Sequence, residues 1–251
     1  MKSLLAAFQF LSIIPIKIRE INDETIANSM IFFPLVGLAI GAILTGIFSA
    51  LLYSGLSQFA ANIILIVMLI ALTGGMHLDG LSDSADAFLS RKNKEQMLLI
   101  MRDSHAGVMG ILSIICVILL KIALLISLDI ALEPIALLLM CVISRWSMVF
   151  SIYLFPYSRA EGKAKSFADG INTKILSYAT LITFATAFSI WGFKGMLIIV
   201  ITALCVYLFG IFTKKEIGGI TGDTIGATNE IAEITVLLCA LIMQRWLMWI
   251  K

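Results

Sequence analysis

The sequence predicts an all-α fold: a polytopic integral membrane helical bundle of about seven transmembrane helices, with an N-terminal interfacial helix. Three observations carry this. First, 60% of the 251 residues are hydrophobic and 14% are charged, against about 45–50% and about 25% in an ordinary soluble domain. Mean hydropathy is +1.03. Second, seven apolar runs, near 29–53, 59–76, 107–127, 132–155, 175–192, 195–212 and 231–249, reach or approach the roughly 20 residues of a bilayer-crossing helix. Third, long polar connections alternate with very short turns. Seven crossings therefore put segments 17–28, 77–106, 156–174 and 213–230 on one face. The length suits one membrane-embedded domain over residues 1–251.

Each element has its own signal. Residues 3–16, SLLAAFQFLSIIPI, are short for a span and carry no small-residue cleavage site, so they are expected to lie in the interface. The fifth and sixth runs are joined by Trp191-Gly192-Phe193-Lys194-Gly195, which suits a tight helical hairpin. Cys116, Cys141, Cys205 and Cys239 all fall inside apolar runs, as small packing residues rather than a disulfide or metal framework.

Charge sets the expected orientation. The net charge of +2 gives no support to a nucleic-acid partner. The face with the long loops holds Lys2, Lys17, Arg19, Arg91, Lys92, Lys94, Arg102, Arg159, Lys163, Lys165, Lys174, Lys214 and Lys215. Lys121, Lys194, Arg245 and Lys251 are assigned to the other face, and Arg145 to the interior of a span. Basic residues favour the cytoplasmic side, so the long loops are expected there. Acids follow the same split, with only Asp129 and Glu133 on the far side. The positive-inside rule does not place acids, so a site for metal ions and phosphates is expected instead.

Three constellations fit such a site. In GGMHLDGLSDSADAF (74–88), Asp79, Asp83 and Asp86 are spaced four and then three, on one face of a helix. Leu78, Leu81, Ala85 and Phe88 fall opposite. Three close carboxylates repel unless a cation neutralises them, and carboxylate oxygens suit Mg²⁺ or Mn²⁺ beside a phosphate. The plainer alternative is that Asp79 caps the helix and the other two face water. In Met101-Arg102-Asp103-Ser104-His105-Ala106-Gly107, Asp103 is a further ligand or the cap of the next span, and Arg102 suits a phosphate. In GGITGDTIGATNEIAE (218–233), a glycine-rich turn opens the last span. Asp223 and Glu230 share a face there, with Glu233 one turn on. Asp223 as a plain helix cap is the alternative. Arg145 lies about ten residues inside its span, where a charge normally faces a polar cavity and finds a partner.

These pieces run in order over nearly the whole chain. Together with Phe33-Pro34-Leu35-Val36-Gly37, Ser144-Arg145 and the loop from Tyr157-Ser158-Arg159 to Gly162, they resemble the cobalamin synthase family, the adenosylcobinamide-GDP ribazoletransferases. The chain departs from the family pattern at His105, at Lys163-Ala164-Lys165 and at Asn229. The resemblance implies transfer of the phosphocorrinoid group of adenosylcobinamide-GDP to α-ribazole or its 5′-phosphate, with release of GMP. It implies Mg²⁺, one ion or two, held by Asp79, Asp83 and Asp86. Asp103, Asp223 or Glu230 would complete the shell or take the proton. His77, Arg102, Arg145, Arg159 and Glu233 are expected to bind substrate, and segment 3–16 to wall a wide cavity. The expected setting is a bacterial or archaeal cytoplasmic membrane, with the lipid bilayer, a second copy or other corrinoid-pathway enzymes as partners. Other aspartate- and Mg²⁺-dependent membrane transferases, and a transporter, are the competing readings. The Ala-Arg pair of CDP-alcohol phosphotransferases is missing after Asp86, and the two halves show no matched repeat.

Overall fold

The computed structural model describes residues 1–16, 18, 21–162 and 164–249, with side chains as far as Gln244. Lys17, Arg19, Lys163, Lys251 and the Arg245 side chain, which bear on the orientation, lie outside the described part. The chain is helical throughout. The one isolated bridge among the described residues pairs Tyr157 with Ile220.

α1 (Lys2–Leu11) buries Ala6, Ala7 and Leu11, and the chain after it is pinned where the Ile13 amide donates to the Leu72 carbonyl at 2.9 Å. It is short and apolar, as expected, and is not among the helices long enough to cross a membrane. α2 (Asp23–Ser29), capped by Asn22, runs through a 3₁₀ turn into α3 (Phe33–Tyr53), which has Pro34 in its first turn, where a missing N–H costs nothing. α4 (Gln58–Thr73) returns. α7 (Val108–Ile126), α8 (Glu133–Leu154), α10 (Thr173–Trp191), α11 (Phe193–Ile217) and α12 (Gly222–Trp249) complete the bundle. Connectors as short as those between α3 and α4 or α10 and α11 force antiparallel neighbours. α8 is the central helix, 83% buried along its apolar window and packed on α3 and α12.

Among the described residues, six helices are long and apolar enough to cross a membrane. α4 qualifies as a seventh only together with α5 (Met76–Leu89), which is bent 90° from it. Gly74 and Gly75 make the bend, both left-handed, at φ 64° and 70°, a conformation that glycine adopts without strain. α5 therefore lies across one end of the bundle, followed by the short α6 (Lys94–Ile100). α9 (Lys165–Gly170) sits at the same end.

Two expectations change here. The inward face of α5 is the small one, His77, Gly80, Ser82, Ser84 and Ala87, while Leu78, Leu81, Ala85 and Phe88 are only half-buried. Helices that touch backbone to backbone need small residues at the contact. Lys121 is not at the far face: it is 3% exposed, inside the bundle.

Candidate active site

α5 and α12 cross in direct backbone contact. A Cβ on Gly80 would lie 2.6 Å from the Asp223 carbonyl oxygen. A Cβ on Gly226 would lie 3.3 Å from the His77 carbonyl oxygen. This crossing brings Asp79 and Asp83 of α5 together with Asp223 of α12. Asp79 is not the cap of α5, whose N-cap is Gly75. Asp223 is not the cap of α12 either. Thr221 and Thr224 close that helix end reciprocally: the Thr224 amide donates to Thr221 Oγ1 at 3.2 Å and the Thr221 amide to Thr224 Oγ1 at 2.8 Å. Both carboxylates are thus left for the cavity.

That cavity measures about 450 Å³ and is lined by several helices and the loops between them. α5 contributes His77, Asp79 and Gly80, and α12 contributes Asp223 and Gly226. Arg102, Tyr157 and Arg159 come from loops, and Phe10, Phe33, Met148, Ile152 and Phe167 form apolar wall. The loop with Arg159 is fixed by the pairing beside it. The Ser158 amide donates to the Ile220 carbonyl at 2.8 Å, and the Ile220 amide to the Pro156 carbonyl at 2.9 Å. Arg159 Nη2 can then donate to Asp223 Oδ2 at 2.8 Å. Burial, then the neighbouring Asp79, Asp223 and Asp86 carboxylates, push the Asp83 carboxyl up to about 7. A cation is the natural remedy for such crowding.

Asp86 is the first correction. Its two oxygens accept from the Gly107 amide at 2.6 Å and the Gly110 amide at 2.8 Å. It therefore caps α7 from another helix, satisfying orphan donors and meeting the positive end of the helix dipole. Asp86→Ala is expected to lower stability by about 1–2 kcal/mol. A lowered thermal midpoint, with faster hydrogen exchange at the Gly107 and Gly110 amides, is the check.

Asp103 is the second correction. It is neither cap nor cavity residue. It is exposed, accepting from the His105 amide at 3.1 Å and bonding His105 Nδ1 at 2.6 Å. The His105 hydrogen bond holds its carboxyl below the usual range.

Glu230, Glu233 and Arg145 are the third. They lie behind the cavity wall, joined by Lys121, which the charge split assigns to the opposite face. Lys121 Nζ donates to Glu230 Oε2 at 2.5 Å and also to Glu233 Oε2. Arg145 Nη1 donates to Glu233 Oε1 at 2.5 Å. All four side chains are at most 4% exposed. Two cations and two anions balance, as burial of charge requires. Beside them is a chamber of about 10 Å³, lined by His77, Lys121, Arg145, Glu230 and Glu233, close to the room needed for one water. Both His77 ring nitrogens and the Nε and Nη2 of Arg145 lack protein partners. His77 thus separates the charge cluster from the cavity. The signal for Lys121 is present in the sequence: a lone lysine within an apolar run, like Arg145, demands a buried partner.

The family model described as Cobalamin-5-phosphate synthase matches residues 3–241. A protein from Desulforamulus reducens named adenosylcobinamide-GDP ribazoletransferase is 37% identical, over 97% of both chains. Its namesakes in Roseiflexus and Escherichia coli are 36% identical, over 92% of this chain and 86% of theirs, and 35% identical, over 94% and 98%. No solved structure matches. With geometry, motifs and near full-length similarity in agreement, the chain belongs to the cobalamin-5-phosphate synthase family.

Proposed function

We propose that this chain transfers the phosphocorrinoid group of adenosylcobinamide-GDP to α-ribazole or its 5′-phosphate, giving the cobalamin product and GMP in a Mg²⁺-dependent reaction. The family membership supports the reaction. The observation that supports this location for it is the facing of Asp79 on α5 and Asp223 on α12 at one cavity that also holds Arg102 and Arg159, with Asp83 next to these two carboxylates.

The donor set fits Mg²⁺, since these carboxylates are hard oxygen ligands. Among the described residues no three His, Cys, Asp or Glu side chains form a ready cage. That suits an ion that takes one or two carboxylates and completes its octahedron with phosphate oxygens and water. Asp79 and Asp83 would hold it, and the ion would offset charge on the pyrophosphate. Arg102 and Arg159 add fixed positive charge beside the transferring phosphorus. The ribazole hydroxyl attacks the phosphorus on the corrinoid side. One P–O bond forms, the bond to the bridging oxygen breaks, and GMP leaves with the electron pair. Asp223, a carboxylate lining the cavity, takes the hydroxyl proton. A corrinoid exceeds a 450 Å³ cavity, so its bulk would sit outside the mouth. The basic residues of the long loops support a cavity open to the cytoplasm of a bacterial or archaeal cell.

Purified protein in detergent, given adenosylcobinamide-GDP, α-ribazole 5′-phosphate and Mg²⁺, is expected to release GMP and to stop when the metal is chelated. Asp83→Asn is expected to insert and fold but lose at least about 100-fold in rate. GMP release that ignores both the chelator and this substitution would overturn the reading.

A further inference from the structure

The cavity has a second chemical character that the phosphate chemistry leaves unused. Three phenylalanines from three separate elements meet in its wall: Phe10 of α1, Phe33 of α3 and Phe167 of α9. The Phe10 ring centroid lies 4.6 Å from that of Phe167 and 6.0 Å from that of Phe33, with 5.7 Å between Phe33 and Phe167. Phe33 and Phe167 are 0% and 4% exposed. Phe10 is half-buried, so it is the ring with surface left to offer. Met76, Met148 and Ile152 continue the apolar wall. Close aromatic pairs account for packing between the elements, but they do not explain why the one partly open ring of these three sits on the substrate cavity.

We infer that Phe10, backed by Phe33 and Phe167, is the stacking platform for the flat base of the ribazole nucleoside. This deepens the proposed function and rests on it. A base stacks on an aromatic ring whatever its sequence identity. What the site selects is the polarity of the base's edge. Guanine carries several donors and acceptors that must be matched when buried, and none of these six side chains can match them. A benzimidazole base carries only its ring nitrogens and suits an apolar wall. The carboxylates and arginines of the same cavity are then left for the phosphates. The proposal also accounts for α1, since a helix outside the spans carries a specificity-determining residue into the site.

The experiment uses the full-length protein in detergent. Binding of α-ribazole and of GDP is measured by calorimetry, and both KM values by GMP release. Phe10→Ala is expected to weaken α-ribazole binding, and raise its KM, by about 10-fold, leaving GDP binding and the KM for adenosylcobinamide-GDP within about 2-fold. Phe10→Tyr keeps the ring and is expected to stay within about 3-fold of wild type. Phe10→Leu keeps apolar bulk without the ring and is expected to remain at least about 5-fold weaker. Wild-type affinity in the leucine variant, or a loss that falls on the GDP substrate, would overturn the stacking role while leaving the transferase reading intact. Wild-type protein that binds α-ribazole through Phe10 but releases no GMP would do the opposite.

Discussion

Lys121→Met is expected to destabilise the protein by about 3–5 kcal/mol, the usual cost of removing one partner from a buried ion pair. The ammonium is the shared partner of Glu230 and Glu233. Without it, Arg145 balances only Glu233, and the Glu230 carboxylate is left buried with no cation in contact. The adjoining chamber of about 10 Å³ has room for one water at most, too little to hydrate a carboxylate. The measurement is the thermal unfolding midpoint in detergent. The double variant Lys121→Met with Glu230→Gln removes one charge of each sign and is expected to recover more than half of the loss. Equal midpoints for wild type and Lys121→Met would show that the cluster does not hold α7 to α12.

Gly80→Ala is expected to cost about 100-fold in rate, with a smaller loss of about 1–3 kcal/mol in stability. The added methyl would lie 2.6 Å from the Asp223 carbonyl oxygen and 3.0 Å from its Cα, both backbone atoms that cannot rotate away. α5 and α12 must separate, and the separation acts on the gap between Asp79 and Asp83 on one side and Asp223 on the other. A misplacement of about 1 Å suffices for a loss of this size. The check is kcat for GMP release beside the thermal midpoint. Unchanged kcat would mean that the closeness of the crossing does not set the carboxylate geometry.

Much of the fold and site is legible in the chain. The apolar runs mark the long helices, although α12 begins at Gly222, nine residues before its run, and the short run after Lys2 marks a short helix. Asp79, Asp223, Arg102 and Arg159 are marked by charge beside glycine and apolar runs, and the cavity gathers all four. The misreadings share a cause. Asp86 reads like Asp79 and Asp83 by helical spacing, yet the N-terminus of α7 comes to it from 21 residues away. Asp103 is the nearer candidate for that cap, but the turn it occupies folds back onto His105. Spacing sets the aspartates of α5 against its apolar residues, but the close crossing is what buries its small ones.

By itself, the sequence determined the long apolar helices, the freedom to bend at Gly74-Gly75 and the clustering of acids in the long connections, because apolar length, backbone freedom and the spacing of charges are local properties. Only the tertiary structure decided which charges line the cavity and which ones balance each other. Lys121 meets Glu230 and Glu233 across 109 and 112 residues, and Arg145 meets Glu233 across 88. In a low-dielectric interior each charge must find a partner, and the identity of that partner is set by how the helices pack.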